Sequence, residues 1–411
     1  MLGVSGLRGT IGGSLTPEVA MRWANAVACY FKNSATSPIN GTHYVMVLGR
    51  DTRPSGPFVR DAVVSALMVS GVEVIDLGIV TTPGVAMMVT RLKADAGMVI
   101  TASHNPIIWN GIKLLDSNGI ALPPTNVDRI IELFHKSQSS YVTVDKLVAP
   151  KTNEETNAYH VHRVLNHVDV LGIASKRFKV VLDSVNGAGG VPGATLLSKL
   201  GCMMIQINAE PHGRFAHEPE PMAKNLVGLS DEVRKQKAAI GFAQDPDADR
   251  LAIVDENGTF IGEEYTLALA ARYILAKKPN AIAAANLSTS RMIDDIAAET
   301  GGRVVRTPVG EANVVHGMIN AGATIGGEGN GGVIDPRIVG GRDSLVAMAY
   351  VLGLLAREGK PLSAIVDSIP KYTIIKDKFE CKKEDAGRAV QALVEQIKDG
   401  KVDTQHGIRI D

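Results

Sequence analysis

Short apolar runs, each closed by a polar, glycine-rich loop and followed by a stretch of helical period, recur three times along the chain. The first run, YVMVL at 44–48, reads as a strand buried on both faces. The loop GRDTRPSG at 49–56 follows, then a helical pattern from about 58 to 70, Gly71, and a second apolar run over 72–77. The plan returns with a strand over 179–182, the loop DSVNGAGG at 183–190, a helix closed by Gly201 and a strand over 202–207. It returns again with a strand over 281–285, the loop NLSTSR at 286–291, a helix to about 300, Gly301 and Gly302, and a strand over 303–306. Strand–loop–helix–strand units of this length are parallel βαβ units, with their working loops at the carboxyl ends of the strands. The pattern predicts an α/β protein of three related domains with parallel or mixed sheets.

The rest of the pattern places boundaries. Thr16 is set to cap a helix that opens with Pro17 and turns Val19, Trp23 and Ala26 inward. Residues 137–150 are polar and irregular and read as a link. Asn257-Gly258, between the apolar runs 251–254 and 260–261, is a hairpin signal. An apolar helix ends at Gly359, and a charged segment follows, with an amphipathic helix over 383–398 that turns Ala389, Leu393, Val394 and Ile397 inward. The closing GIRID at 407–411 reads as a strand just starting. These signals divide the chain at 1–148, 149–255, 256–368 and 369–411, the last being the opening of a truncated fourth α+β domain.

Composition narrows the function. The 411 residues carry 43 Lys+Arg against 43 Asp+Glu, so no global basic field favours nucleic acid, and any anion site must be local. Cys29, Cys202 and Cys381 are far apart, with no metal spacing, and read as buried thiols of a reducing compartment. There is no basic–apolar leader pattern and no apolar run of membrane-spanning length. The expectation is a cytoplasmic protein with neither membrane nor nucleic acid as partner.

Three loops carry chemistry. The apolar run 96–100 stops in Thr101-Ala102-Ser103-His104-Asn105-Pro106, which presents the Ser103 hydroxyl at a strand end. Alone, this is ordinary turn composition. The run 238–243 leads into Asp245-Pro246-Asp247-Ala248-Asp249-Arg250, three carboxylates at alternate positions that can converge on a hard cation such as Mg²⁺. Glu256 stands at the twelfth position from Asp245, as in an EF-hand, but Arg250 occupies the place that needs glycine, and the flanks read as strands. The third loop, GGEGNGG at 326–332, lets backbone approach a ligand, while Glu328 and Asn330 can read vicinal hydroxyls. Lys113 follows the serine turn and can donate a proton or contact phosphate, and Arg8, Arg50 and Arg53 in glycine-rich loops can bind phosphate bidentately. A serine hydrolase is disfavoured, because His104 is the neighbour of Ser103, adjacent side chains diverge, and no GxSxG surrounds it. Neither a Walker A sequence nor a strand-borne GxGxxG is present.

In this order the pieces resemble the α-D-phosphohexomutase family. The match runs through SGLRG (5–9), GRDTR (49–53), TASHNP (101–106), NGIK (110–113), DPDADR (245–250), TPVG (307–310) and GEGNGG (327–332), over nearly the whole chain. The resemblance implies domains around a central cleft and a reversible shift of phosphate between the C1 and C6 oxygens of a hexose. It implies a phosphorylated Ser103 and Mg²⁺ held by Ser103, Asp245, Asp247 and Asp249. Arg8, Lys113 and His104 would act at the transferring phosphate. Arg250, Thr307, Gly310, Glu328 and Asn330 would bind substrate, with a hexose 1,6-bisphosphate as intermediate and activator. The GEGNGG loop, in place of the GExSGH of many members, resembles phosphoglucosamine mutases of the archaeal type and related bacterial ones, with phosphomannomutase or phosphoglucomutase the alternative. The family's fourth-domain loop for the second phosphate has no match through Asp411. A sugar-phosphate phosphatase and a non-catalytic sugar-phosphate-binding relative are the rival classes, and the resemblance leaves open a monomer or a homodimer.

Overall fold

In the computed structural model the described residues are 2–3, 6–33, 38–39, 41–373, 383–396, 402–403 and 409–410, so that Ser5, Cys381 and Ile397 lie outside them, as does much of 407–411. The first region contains β1 (Leu2–Gly3), β2 (Gly6–Thr10), α1 (Pro17–Asn33), β3 (Val45–Arg50), α2 (Gly56–Val69), β4 (Glu73–Ile79), α3 (Thr82–Arg91), β5 (Ala96–Ile100), β6 (Trp109–Leu115), α4 (Pro124–His135) and β7 (Lys151–Thr152). The second has α5 (Thr156–Leu165), α6 (Val170–Lys176), β8 (Lys179–Asp183), α7 (Gly190–Lys199), β9 (Met203–Ile207), α8 (Val227–Gln236), β10 (Ile240–Gln244) and β11 (Leu251–Val254). The third has α9 (Glu264–Leu275), β12 (Ile282–Asn286), α10 (Met292–Ala298), β13 (Arg303–Thr307), α11 (Glu311–Ala321), β14 (Ile325–Glu328), β15 (Gly332–Ile334), α12 (Ser344–Glu358) and α13 (Leu362–Asp367). The helix α14 (Lys383–Gln396) and the short pair β16 (Val402–Asp403) and β17 (Arg409–Ile410) follow.

The three sheets repeat one topology. The strand orders β4-β3-β5-β6, β9-β8-β10-β11 and β13-β12-β14-β15 each hold three parallel strands and a fourth that is antiparallel. The first sheet adds β2 and β1 beyond β6, and β7 beyond β4. In every copy the connection from the third strand to the antiparallel fourth carries candidate site residues. These are the serine turn after β5, the aspartate loop after β10 and the Glu328 loop after β14. The expected βαβ units are therefore present, but the three chemical loops occupy equivalent places in their second halves.

Helices between the sheets fill the main core. The helix α12 has every residue from Ser344 to Leu355 buried, because it is apolar around its whole circumference and packs on α5, α6, α7 and α9. Asp343 caps it by accepting from Leu345 N (2.8 Å), and Gly359 ends it in the left-handed conformation at φ +65. At Gly353 an added Cβ would lie 2.5 Å from the Tyr273 ring, so the glycine admits that contact. At α1, Thr16 Oγ1 accepts from Val19 N (3.3 Å), and Trp23 and Ala26 are buried as expected.

Three expectations change. Arg8 lies in a strand rather than a loop, opposite Gly111 in the β2–β6 ladder. Ala389 and Leu393 of α14 are exposed and Val394 is half-buried, so these positions of the stripe predicted to face inward are not buried among the described residues. Cys29 is buried and Cys202 half-buried. Among the described residues no helix is long and apolar enough to cross a membrane.

Candidate active site

The serine turn is held open from below by Arg53. Its side chain is fully buried, and all five of its N–H groups are spent within the fold. Nε donates to Asp51 Oδ2 (3.1 Å), Nη1 to the carbonyls of Pro106 (2.9 Å) and Trp109 (3.0 Å), and Nη2 to those of Ser103 (2.6 Å) and Asn105 (2.7 Å). Arg53 is therefore not available to phosphate, contrary to the expectation. A charge in a glycine-rich loop reads as exposed, but here four carbonyls of another loop converge on it. Asp51 completes the brace: it accepts from Thr101 Oγ1 (2.7 Å), which in turn accepts from Ser103 N (2.8 Å). Ser103 sits at φ +49, a left-handed conformation that costs a non-glycine residue roughly 1–2 kcal/mol. The brace holds it there.

That backbone geometry overturns another expectation. The side chains of Ser103 and His104 meet rather than diverge, with Ser103 Oγ 3.3 Å from His104 Nδ1. Burial and the positive charge of Arg250 push the imidazole down to about 4, so it is neutral at neutral pH and has an acceptor nitrogen to offer.

The aspartate loop reaches the serine from the second sheet. Ser103 Oγ donates to Asp245 Oδ2 at 2.8 Å. Asp245, Asp247 and Asp249 are all buried, each with an oxygen within 4.8 Å of the others. Their six oxygens divide in two ways. Asp247 Oδ2 accepts from Thr82 Oγ1 (2.6 Å) and Lys113 Nζ (2.7 Å), and Asp249 Oδ2 accepts from Arg342 Nη2 (2.6 Å) and Lys113 Nζ (3.2 Å). Asp247 Oδ1 and Asp249 Oδ1 are buried with no hydrogen-bond partner. Buried acceptors without partners are costly, and two of them beside Asp245 and the serine hydroxyl make an all-oxygen donor set suited to a hard divalent cation. Burial, with Asp249 and Asp247 beside it, pushes the Asp245 carboxyl well above its usual range. Burial opposes ionisation of Asp249 too, yet Arg342 and Lys113 hold it well below. Burial disfavours the Lys113 ammonium, but Asp247 and Asp249 outweigh it and raise its pKa, so the lysine stays charged. Glu256 donates nothing here: its carboxylate accepts from Ser363 N (3.2 Å).

A cavity of about 510 Å³ joins these groups to the third sheet. Arg8, Ser103, His104, Lys113, Arg250, Gly310, Glu311, Glu328, Asn330 and Arg342 line it. Burial lowers the Arg8 pKa, with Asp247 and Asp249 pulling it back. Arg250 donates its backbone N–H to Asp245 Oδ1 (3.1 Å), and its Nε lies 3.9 Å from Asp249 Oδ1. Glu328 accepts from Asn286 Nδ2 (2.8 Å), Gly310 N (3.3 Å) and Arg342 Nη1 (2.7 Å), while Asn330 Oδ1 is buried without a partner beside it. Thr307 is not on the lining: it is buried at the end of β13, with its hydroxyl on the Pro308 carbonyl (3.1 Å). A larger cavity of about 600 Å³, around Phe260, Tyr265 and Met292, holds none of the convergent groups.

Sequence reasoning missed Thr82, Arg342 and Glu311. The first had a local signal: in Thr81-Thr82-Pro83, Thr81 caps α3 by accepting from Gly84 N (3.0 Å), which aims Thr82 at the aspartate loop. Arg342 had a weaker one, a charge immediately before the helix-capping Asp343.

A serine turn, an acidic loop and the loop of Glu328 and Asn330, set on three repeats of one α/β topology around a cavity, point to a sugar-phosphate phosphotransferase. The comparisons agree. Profiles described as "Phosphoglucomutase/phosphomannomutase, alpha/beta/alpha domain" I, II and III match residues 1–141, 158–258 and 263–372. The chain is 37% identical over 414 residues to a "Phosphoglucomutase/phosphomannomutase" of Thermococcus kodakarensis, covering 100% of this chain and 89% of the relative. It is also 37% identical over 413 residues to a "Probable phosphoglucosamine mutase" of Methanopyrus kandleri, covering 100% and 88%. The crystal structure of a phosphoglucomutase/phosphomannomutase family protein from Burkholderia thailandensis superposes with a TM-score of 0.86 at 26% identity, covering 100% of this chain and 89% of that one. The chain belongs to the α-D-phosphohexomutase family and is an enzyme of the phosphoglucosamine mutase and phosphomannomutase type.

Proposed function

We propose that the enzyme interconverts hexose 6-phosphate and hexose 1-phosphate by way of a phosphorylated Ser103, with glucosamine 6-phosphate as its preferred substrate and glucosamine 1-phosphate as its product. The observation that carries the reading is the hydrogen bond from Ser103 Oγ to Asp245 across two sheets, beside two buried, unpartnered aspartate oxygens. Mg²⁺ fits that donor set, held by Asp245, Asp247, Asp249 and an oxygen on Ser103, and when bound it supplies positive charge against the transferring phosphoryl group. Phosphoryl transfer depends on charge neutralisation and in-line positioning, and Lys113 and Arg8 add fixed cations to the same cavity. His104 Nδ1 is within reach of the serine oxygen and can hold the hydroxyl proton when Ser103 receives a phosphoryl group. Glu328 and Asn330 Oδ1 offer acceptors for adjacent sugar hydroxyls, Gly310 shapes that end of the cavity, and Arg250 steadies the aspartate loop. The substrate hydroxyl takes the phosphoryl group from Ser103 to give a hexose 1,6-bisphosphate. After turning over in the cavity, this returns its other phosphoryl group to Ser103, so the same bisphosphate serves as activator.

The choice of glucosamine rests on the relatives named for it and on the GEGNGG loop; the Thermococcus kodakarensis relative named for glucose and mannose favours those sugars as the second reading. The test is a coupled assay of glucosamine, mannose and glucose 6-phosphates with Mg²⁺ and a bisphosphate primer, paired with intact-mass analysis. Wild-type protein gains one phosphate from the primer and Ser103→Ala gains none. Release of inorganic phosphate without 1-phosphate selects a phosphatase, and wild-type protein that cannot be labelled refutes the serine mechanism.

A further inference from the structure

Arg342 stands on carboxylates from three elements at once. Nη2 donates to Asp249 Oδ2 (2.6 Å) and Nη1 to Glu328 Oε2 (2.7 Å), while Nε lies 3.2 Å from Glu311 Oε2. Its backbone N–H donates to Glu311 Oε1 (3.1 Å). Its side chain is 10% exposed. Asp249 belongs to the aspartate loop of the second sheet, whereas Glu328 begins the sugar-reading loop of the third. The segment that carries Arg342 is anchored on its other side. Asp343 caps α12 and pairs with His160 Nε2 (2.7 Å), Ser344 N donates to Ala248 O (3.2 Å), and Ser344 Oγ accepts from Gln244 Nε2 (2.8 Å). Gly332 provides the passage: a Cβ there would lie 2.2 Å from Arg342 Cδ and 2.8 Å from its Cγ.

We infer that Arg342 is a positioning residue that ties the cation-binding loop to the sugar-binding loop, so that a disturbance at Glu328 is felt at Asp249. The inference rests on the roles proposed above for those two loops. The guanidinium serves the two carboxylates from separate nitrogens, Nη2 for Asp249 and Nη1 for Glu328, held in one rigid plane, which an ammonium with all its donors on a single atom does not provide. By pinning Asp249 Oδ2, Arg342 and Lys113 leave Oδ1 aimed at the cation position. By pinning Glu328 Oε2, the same guanidinium sets the direction of the carboxylate that meets sugar. Releasing either hold loosens both.

The test is Mg²⁺ titration calorimetry without sugar on wild-type protein, Glu328→Gln, Arg342→Met and the double variant. Glu328 is not among the proposed cation ligands, yet Glu328→Gln is expected to weaken Mg²⁺ binding about 5-fold, the lower end of coupling between linked sites. In the Arg342→Met background the same change is expected to alter affinity by about twofold or less, as for independent positions. Equal effects in both backgrounds, or none in either, overturn the tie. Gly332→Ala displaces the Arg342 side chain without deleting it and is expected to reproduce Arg342→Met. A Gly332→Ala protein with wild-type melting and wild-type Mg²⁺ affinity also overturns the tie. Wild-type protein that binds no Mg²⁺ overturns the cation site itself, which separates the two failures.

Discussion

Replacing Arg53 by lysine keeps the charge and removes the fork. The arginine makes five hydrogen bonds, to Asp51 and to the carbonyls of Ser103, Asn105, Pro106 and Trp109. An ammonium has three donors on a single atom, so at least two of these acceptors lose their arginine partner. Pro106 O keeps a bond from Trp109 N (3.0 Å), which shifts the loss toward Ser103 and Asn105. At about 1–3 kcal/mol for each buried acceptor left unsatisfied, Arg53→Lys costs about 2–6 kcal/mol in the serine turn. That is comparable with the whole stability of a domain, about 5–15 kcal/mol. The turn also loses the hold on a left-handed Ser103, and displacing a reacting group by about 1 Å costs about 100-fold in rate. Hydrogen exchange at the amides of residues 101–111 is expected to accelerate, the melting temperature to fall and phosphoryl transfer from the primer to slow by about two orders of magnitude. Wild-type exchange and wild-type transfer in Arg53→Lys would refute the reasoning, because the bonds counted here would then carry no load.

Two further outcomes follow from the charges. Since burial and two neighbouring carboxylates already disfavour the Asp245 anion, Asp245→Asn is expected to raise the melting temperature of the metal-free protein and to abolish any rise on adding Mg²⁺; a metal-free variant less stable than wild type counts against the like-charge picture. Burial lowers the His217 pKa, but the hydrogen bond to Asp183 (3.1 Å), the charge of that carboxylate and the contact with Glu218 together outweigh it and raise the pKa above its ordinary value. A raised histidine pKa contributes stability that is full below the unfolded value and is lost as pH rises through the folded one. The stability advantage of wild type over His217→Gln is therefore expected to shrink from pH 6 upward in melting curves, and parallel curves at all pH values would contradict the pairing.

The repeating βαβ units were legible because period and glycine punctuation are local properties of the chain. Ser103, the three aspartates, Glu328 and Asn330 were legible because each cluster is contiguous, with Ser103, Glu328 and Asn330 lining one cavity and Asp245 bonded to the serine. Arg8 was placed in a loop because its strand is short and rich in glycine, and a ladder partner such as Gly111 is invisible from Arg8 alone. Arg53 was misread because its acceptors belong to a turn about 50 residues away. The same holds for Thr82 and Arg342, which reach the aspartate loop across 165 and 93 residues of chain. Thr307 shows the reverse error, a motif residue next to the site whose hydroxyl is used locally by Pro308.

The oxygens that Lys113 and Arg342 occupy have a consequence for how the protein is made. Three aspartates packed out of water would ordinarily push a nascent domain apart until an ion arrived, as in small metal-dependent folds that stay unfolded without it. Here two side chains of the chain itself act as resident counter-ions on the Oδ2 atoms of Asp247 and Asp249, and the Oδ1 atoms stay free. The fold is thereby expected to assemble without magnesium, and circular dichroism of protein refolded in chelator checks this. On that expectation the ion enters a site already built, with no refolding step before it binds.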